Sequence, residues 1–221
     1  NPLGAIRQSI YYLNLIFETG DLDIKDLEMI RKHMQMIESE VDASNDVITN
    51  LLGTTRVDRQ RKKEKIDLSD VLQVSVQRVW AEEWAKLKMD VDSICVWGDF
   101  LQLRQLMINL LENAKTAVKN QSDATIWIDA KFDEQSAFIR ITDNGSGMSE
   151  ETLSRLFEPL YTTNPQGSGL GLSICREIVE ERHGGTIEFE SQEGAGTQVK
   201  VTLELYSPQE EHLLDERNLH P

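Results

Sequence analysis

The sequence has 221 residues, a formal net charge of −15 at pH 7, 39% hydrophobic residues and 6% aromatic residues. An acidic surface repels the phosphates of nucleic acid, so this charge argues against a nucleic-acid partner. No apolar run is long enough for a membrane segment and no signal peptide opens the sequence, so we expect a cytoplasmic chain. Segments upstream of the printed sequence could still anchor a longer protein in a membrane.

Apolar residues along the first part of the chain follow a 3-4-3-4 spacing, which is typical of helices that pack along a common seam. The spacing breaks at residues 19–21 (TGD) and then resumes, which predicts a helical hairpin over residues 1–60. His33 lies off the seam, and we expect it to be exposed. The seam residues are Leu3, Ile6, Ile10, Leu13 and Phe17, followed by Leu27, Ile30, Met34, Ile37, Val41, Ser44, Ile48 and Leu51.

Two helices alone cannot bury a seam of this length, whereas two hairpins paired as a four-helix bundle can. We therefore predict a homodimer through the hairpin, and the alternative is one hairpin packed on its own chain. Residues 56–65 (RVDRQRKKEK) carry charges without apolar periodicity and predict a solvated linker between two domains. The second domain is expected to span residues 61–208, with a polar tail after Pro208 over residues 209–221.

The second domain begins with a predicted strand at residues 65–68 and a helix that Ser69 caps and that runs to about Lys86. A further strand is predicted from Val91 to Trp97. Asp99 is expected to cap the next helix. The core-facing stripe of that helix consists of Leu103, Leu106, Leu110, Ala114 and Ala117.

Alternating apolar residues predict two hairpins, at residues 126–143 and 187–205, with the second turning at residues 194–196. Two hairpins and three helices give a two-layer α/β sandwich. The expected fold class is thus α+β, with an N-terminal antiparallel helical hairpin followed by this sandwich.

Two glycine clusters bracket a short predicted helix. The first is Gly145-Ser146-Gly147, and the second is Gly167-Ser168-Gly169-Leu170-Gly171. The second cluster leads into a predicted helix, whose first N–H groups and dipole would favour an anion. Upstream, Asn109 and Asn113 lie four residues apart and share one face of a predicted helix.

The ordered segments NLLENA, DNGSGM, LFEPLYTT and GSGLGL closely resemble the N, G1, F and G2 boxes of sensor histidine kinases. These kinases are Bergerat-fold ATPases, like gyrase, Hsp90 and MutL, and the resemblance covers nearly the whole chain. It implies a two-component phosphorelay enzyme, a protein histidine kinase. Such an enzyme moves the γ-phosphate of ATP to a histidine on the hairpin and then to an aspartate of a response-regulator receiver domain. The resemblance also implies phosphatase activity toward the response regulator.

The resemblance implies ATP and Mg²⁺ as cofactors, with Asn113 as the metal ligand and Asn109 close to it. Both count as catalytic residues, and Asp143 would accept from the adenine amino group. Residues 148–166 would form a mobile lid that Phe157 and Pro159 anchor. The full predicted nucleotide-binding set is Asn109, Asn113, Asp143, Gly145, Gly147, Thr163, Gly167, Ser168, Gly169, Leu170, Gly171 and Thr197.

The start of the sequence resembles the end of the kinase H box, in which Asn1 would help to position a water during dephosphorylation. Asn1 is therefore a third predicted catalytic residue, and the acceptor histidine would lie four residues before it. None of His33, His183, His212 and His220 occupies that place. His183 is expected to end a helix as a partly charged imidazole.

The sequence also departs from the family. Thr163 is followed by Asn164, where many relatives have lysine, and either Lys115 or Arg155 could supply the missing charge or be a plain surface cation. Asn109 occupies the place of the glutamate that activates water in gyrase and Hsp90. An amide is no general base, so we expect slow hydrolysis. The role of Glu112 stays open.

Two other functional classes compete with the kinase. A hydrolysing ATPase clamp shares the nucleotide boxes, but the long heptad hairpin and the Asn-Pro-Leu start argue against it. A non-catalytic, nucleotide-binding dimeric scaffold is the other class. Its site usually loses the asparagine or the glycines, whereas both are present here.

Overall fold

The computed structural model describes residues 2–18, 25–34, 36–37, 63–80, 85–164 and 167–207. The chain forms two compact units, Asn1–Gln60 and Arg61–Pro221. Among the described residues, no helix combines the length and the apolar character that a bilayer crossing needs. Several predictions lie outside these residues: Asn1, the break at 19–21, the seam from Val41 onward, the linker up to residue 62, the end of the predicted lid at 165–166, and Pro208 with the tail and its two histidines.

The first unit contains helix α1 (Pro2–Glu18) and a second helix, α2, over residues 25–34 and 36–37. The two helices touch where the buried Ser9 hydroxyl lies 3.3 Å from the Met36 sulfur. His33 stacks on Tyr12, with 5.3 Å between ring centroids, and is half-buried. The expected exposure of His33 is therefore wrong, because an aromatic neighbour covers its ring.

A mixed five-stranded sheet forms the centre of the second unit, and its spatial order is β2-β4-β5-β7-β6. Only β2 and β4 pair in parallel, and the other neighbours are antiparallel. A separate antiparallel ribbon joins β1 to β3. The strands are β1 (Glu64–Asp67), β2 (Lys86–Val91), β3 (Cys95–Gly98), β4 (Thr125–Phe132), β5 (Ser136–Asp143), β6 (Thr186–Gln192) and β7 (Gly196–Glu204).

The helices of the second unit pack against the sheet and against one another, in agreement with the predicted α+β fold. They are α3 (Leu68–Val79), α4 (Phe100–Val118), α5 (Glu150–Arg155) and α6 (Gly171–Arg176), the last continuing as a π-helical turn (Glu177–Arg182). Asp99 caps α4, because its carboxylate accepts from the N–H groups of Leu101 at 2.8 Å and Gln102 at 3.2 Å. The predicted core stripe of α4 is buried except for Ala117, which is half-buried.

The region before α4 differs from the prediction in four ways. Asp67, not Ser69, caps α3, and its carboxylate accepts from the Ser69 N–H at 2.9 Å. The helix ends at Val79 rather than near Lys86, because Lys86 begins strand β2. The strand predicted from Val91 to Trp97 is two strands, since β2 pairs with β4 whereas β3 pairs with β1. Strand β1 begins at Glu64, one residue before the strand predicted at residues 65–68 and within the predicted linker, and it ends at Asp67.

His183 joins the end of the π-helical turn to the start of α4. Its Nδ1 lies 2.7 Å from the carbonyl oxygen of Ile178, and its Nε2 accepts from the Asp99 N–H at 3.2 Å. A carbonyl oxygen carries no proton, so Nδ1 is the donor and the ring is the neutral Nδ1–H tautomer. Burial lowers the pKa of His183. The expected partial charge is therefore wrong, because the sequence position shows a helix end but not its burial.

The loops at one end of the sheet meet through glycines in left-handed conformations. Gly147, with φ 63°, sits so close to strand β6 that a Cβ atom there would lie 1.9 Å from the Gln192 carbonyl oxygen. Gly194, with φ 79°, forms the β6–β7 turn, where an added Cβ would meet nothing within 4 Å. Both glycines have a positive φ, but only Gly147 lacks the space for a Cβ atom.

We expect His183→Phe to destabilise the second unit by removing two hydrogen bonds, each worth about 0.5–1.5 kcal/mol. The unfolded ring protonates near pH 6.5, whereas the buried ring resists protonation. Stability should therefore fall as the pH drops from about 6.5 toward the lowered pKa, and the variant should lose this slope. Chemical denaturation at a series of pH values measures both effects. Substitution of His33 by Phe is the control, and an unchanged slope in His183→Phe would contradict the assignment.

We expect Gly147→Ala to destabilise the unit far more than Gly194→Ala. Each alanine bears the left-handed backbone cost of about 1–2 kcal/mol. Only the alanine at position 147 must also displace the Gln192 carbonyl group. The additional loss in unfolding free energy of Gly147→Ala over Gly194→Ala should therefore exceed the backbone cost itself. Denaturant titration of the two variants measures the difference, and equal losses would show that the close approach of Gly147 to β6 is unimportant.

Candidate functional site

One face of α4 carries Asn109, Asn113 and Ala117 at intervals of four residues. Asn109 Nδ2 donates to the Gly171 carbonyl oxygen at 3.3 Å. At the other end, a Cβ atom on Gly145 would lie 2.6 Å from the Ala117 carbonyl carbon, and the Ser146 N–H donates to the Ala117 oxygen at 3.1 Å. The two glycine clusters of the sequence are thus held about 12 Å apart along one helix axis.

Asn113 lies between these two contacts and is exposed. Its amide is therefore accessible on the same face that the glycine turns border. Asn109 uses its amino group toward Gly171, which leaves its amide oxygen as an acceptor. The stripe presents amide groups and no carboxylate at either position.

Asp143 ends strand β5 and is only 6% exposed. Its carboxylate accepts from the N–H of Gly145 at 2.8 Å. Burial raises the pKa of Asp143, and the backbone N–H groups of Gly145 and Thr197 oppose the rise. Thr197 pairs directly with Asp143 across strands β5 and β7, so their side chains lie on the same face of the sheet. The result is a buried acceptor group beside the first glycine turn.

The second glycine turn is tied to the segment before it. Gly169 has φ 69°, and its carbonyl oxygen accepts from the Leu160 N–H at 2.9 Å. Leu160 also has a positive φ of 68°, which is unusual for a branched side chain. Ser168 accepts from the Leu170 N–H at 3.3 Å, and α6 then begins at Gly171 without a side-chain cap. An uncapped helix start offers N–H donors to an anion.

The segment between the two glycine turns is anchored by Phe157, as predicted. Its ring packs edge-to-face on Phe189, with 5.7 Å between centroids, and the Arg176 guanidinium lies 5.0 Å above it. Pro159 is exposed and contributes no comparable anchor. Thr163 is exposed, and no hydrogen bond among the described residues joins it to the other predicted ligands.

The two candidate cations for the missing lysine are engaged elsewhere. Lys115 Nζ donates to the Val79 carbonyl oxygen at 2.9 Å, at the end of α3. Arg155 lies 4.2 Å above the Tyr161 ring and pairs with Glu158 at 3.0 Å. Both cations therefore have structural partners within the second unit.

Glu112 lies next to Asn113 in the sequence and is exposed. Partial desolvation raises the pKa of Glu112, and the charges of Lys115 and Arg78 oppose the rise. It precedes Asn113 by about 100° around the helix axis, so it is not part of the Asn109–Asn113 stripe.

Sequence reasoning missed Ser191. Its hydroxyl accepts from the Met148 N–H at 2.9 Å and lies 3.0 Å from the Gly196 oxygen and 2.9 Å from Thr197 Oγ1. The available signal was its place opposite Thr197 in the predicted β6–β7 hairpin. Directly opposite residues of a hairpin share a face, so Ser191 could have been placed beside the predicted site.

The chain is similar to a known protein family and to known proteins. The family described as "Histidine kinase-, DNA gyrase B-, and HSP90-like ATPase" matches residues 98–207. Sporulation kinase B of Bacillus subtilis (strain 168) is 32% identical over 207 residues, covering 92% of this chain and 46% of that protein. The chain thus spans less than half of this relative's length.

The chain also resembles solved structures. The catalytic domain of histidine kinase ThkA is 26% identical, with a TM-score of 0.59, covering 66% of this chain and 97% of that one. ThkA in complex with the response regulator protein TrrA matches over 93% of this chain and 58% of that one, with a TM-score of 0.65. That second match is 22% identical and shows the fold alone. From the α+β fold, the paired glycine turns and these relatives, the chain belongs to the histidine kinase-, DNA gyrase B- and HSP90-like ATPase family.

Proposed function

We propose that this chain is the core of a sensor histidine kinase that binds ATP with Mg²⁺ along α4. It transfers the γ-phosphate to a histidine on the helical hairpin and then to a response-regulator aspartate. The observation that carries the proposal is the polar stripe of α4, bordered by two glycine turns and ending beside a buried carboxylate. The names of sporulation kinase B and of the ThkA–TrrA complex support the kinase and regulator roles.

The adenine end of the proposed site lies at Asp143. A buried carboxylate accepts hydrogen bonds, so it favours the amino group of adenine over the carbonyl that guanine carries at the same ring position. Gly145 and Gly147 have no side chains, so the base could approach the backbone closely beside Asp143. Thr197, on the same sheet face as Asp143, adds a hydroxyl to this end of the site.

The phosphate end lies between Asn113 and the start of α6. Mg²⁺ favours hard oxygen ligands and retains several waters, so one amide oxygen plus phosphate oxygens is a fitting donor set. The exposed amide of Asn113 meets that requirement. The bound ion would neutralise charge on the phosphates. Residues Gly167–Gly171 would provide backbone N–H donors to the phosphates, with Thr163 closing over them from the lid.

Transfer is favoured over hydrolysis because the stripe lacks a base. Asn109 holds the Gly171 carbonyl and cannot take a proton from water at neutral pH. Positioning and electrostatic stabilisation account for most of the catalysis of phosphoryl transfer. The ATP site of a kinase therefore needs groups that position the phosphates, and it does not need a general base within this stripe. The acceptor is a second group that must arrive in line, which we propose is a histidine four residues before Asn1.

The exposed apolar residues of the first unit support the proposed homodimer. Ile10, Phe17 and Met34 belong to the predicted seam and are 47%, 58% and 51% exposed. Pairing of two hairpins would remove such surface from water, which is the main driving force for association. In this arrangement Asn1 would lie near the acceptor and take part in dephosphorylation of the regulator.

The metal role of Asn113 gives the experiment that tests the proposal. Asn113→Ala should abolish most of the Mg²⁺ dependence of ATP binding, because the variant lacks the only proposed protein ligand of the ion. Isothermal titration of ATP with Mg²⁺ and with EDTA measures this dependence. Asn120→Ala removes an exposed amide just after α4 and should behave like the native chain.

Two results would contradict the proposal. Normal Mg²⁺ dependence in Asn113→Ala would refute the assigned ligand. Turnover of many ATP molecules per minute by the native chain without a partner would favour a hydrolysing clamp over a kinase.

A further inference from the structure

Ser191, Thr197 and Asp143 form one row across three neighbouring strands. Ser191 pairs with Thr197 between β6 and β7, and Thr197 pairs with Asp143 between β7 and β5. Directly paired residues of antiparallel strands place their side chains on the same face. The buried carboxylate therefore has a hydroxyl beside it, and that hydroxyl has a second hydroxyl beside it.

The direction of each hydrogen bond in this row follows from where the protons are. The Met148 N–H can only donate to Ser191 Oγ, and the Gly196 carbonyl can only accept. Ser191 has one hydroxyl proton, which the 3.0 Å contact to the Gly196 oxygen uses. The proton in the 2.9 Å contact between Ser191 and Thr197 must then come from Thr197. This is the assignment in which all three contacts are hydrogen bonds.

The Thr197 hydroxyl oxygen consequently has only lone pairs available for any further partner. With its proton committed to Ser191, it can accept from a ligand but not donate to it. Asp143 beside it is likewise an acceptor when ionised. This end of the site thus presents two acceptors side by side, and a ligand group that carries two protons, such as an exocyclic amine, matches it.

We infer that Ser191 is a positioning residue that fixes the Thr197 hydroxyl as an acceptor and thereby increases the preference for adenine. The inference rests on the proposed ATP site. The Ser191 hydroxyl also accepts from the N–H of Met148, which is the first residue after the Gly145–Gly147 turn. The same hydroxyl therefore stabilises the turn that borders Asp143. Ser191 does not need to touch the nucleotide for either effect.

The test compares ATP with the analogue that carries hydrogen in place of the 6-amino group, purine riboside triphosphate. Ser191→Ala should weaken ATP binding by about threefold to tenfold, the range for one neutral hydrogen bond. Binding of the analogue should change little, because it has no amino proton to offer. Ser191→Thr keeps a hydroxyl and should restore the native ratio of the two affinities. Ser93→Ala, which removes a hydroxyl that bonds to Asp67, is the matched control.

A double-mutant cycle separates positioning from plain loss of structure. If Ser191 acts through Thr197, then Ser191→Ala should add little to the loss that Thr197→Val already causes in the affinity ratio. An unchanged ratio of the two affinities in Ser191→Ala, whether both ligands bind equally more weakly or neither does, would overturn the inference. The proposed function fails separately, if the native chain does not bind ATP or if Asp143→Ala leaves the ratio intact.

Discussion

Helix α4 fixes the geometry on which the rest of the second unit depends. Its amide stripe meets Gly171 at one end, and its last turn meets Gly145 at the other, at distances that leave no room for a side chain on Gly145. Asp99 caps its start, and His183 binds the N–H of Asp99 from the far end of the π-helical turn. The position of one helix therefore sets the separation of two loops that are distant in the sequence.

The overall charge creates a problem for the proposed ligand. A chain with a net charge of −15 repels an anionic nucleotide at long range. The two candidate cations, Lys115 and Arg155, contact Val79 and Tyr161 with Glu158, respectively. Backbone N–H groups at the start of α6 and a bound metal ion would then have to provide the local positive potential. Nucleotide affinity on this account depends strongly on Mg²⁺.

Local signals in the sequence predicted the α+β fold, most of the sheet strands and the contact surface of α4. The apolar period of α4 and the Asp99 cap depend on neighbouring residues, and both match the structure. Strand β2 was missed although Lys86–Val91 alternates between polar and apolar residues, because the preceding helix was predicted to run into the first residue of this edge strand. Register and burial are set by distant residues. For that reason the neutral state of His183 and the pairing of Thr197 with Asp143 could not be derived from local patterns.

The most direct test of the central claim is a structure of the chain with Mg²⁺ and a non-hydrolysable ATP analogue. The account predicts that the adenine amino group lies within hydrogen-bond distance of the Asp143 carboxylate and that Asn113 Oδ1 coordinates the metal. The phosphates should lie against the backbone of Gly167–Gly171. A nucleotide bound with its base away from Asp143, or a metal held without Asn113, would contradict the account.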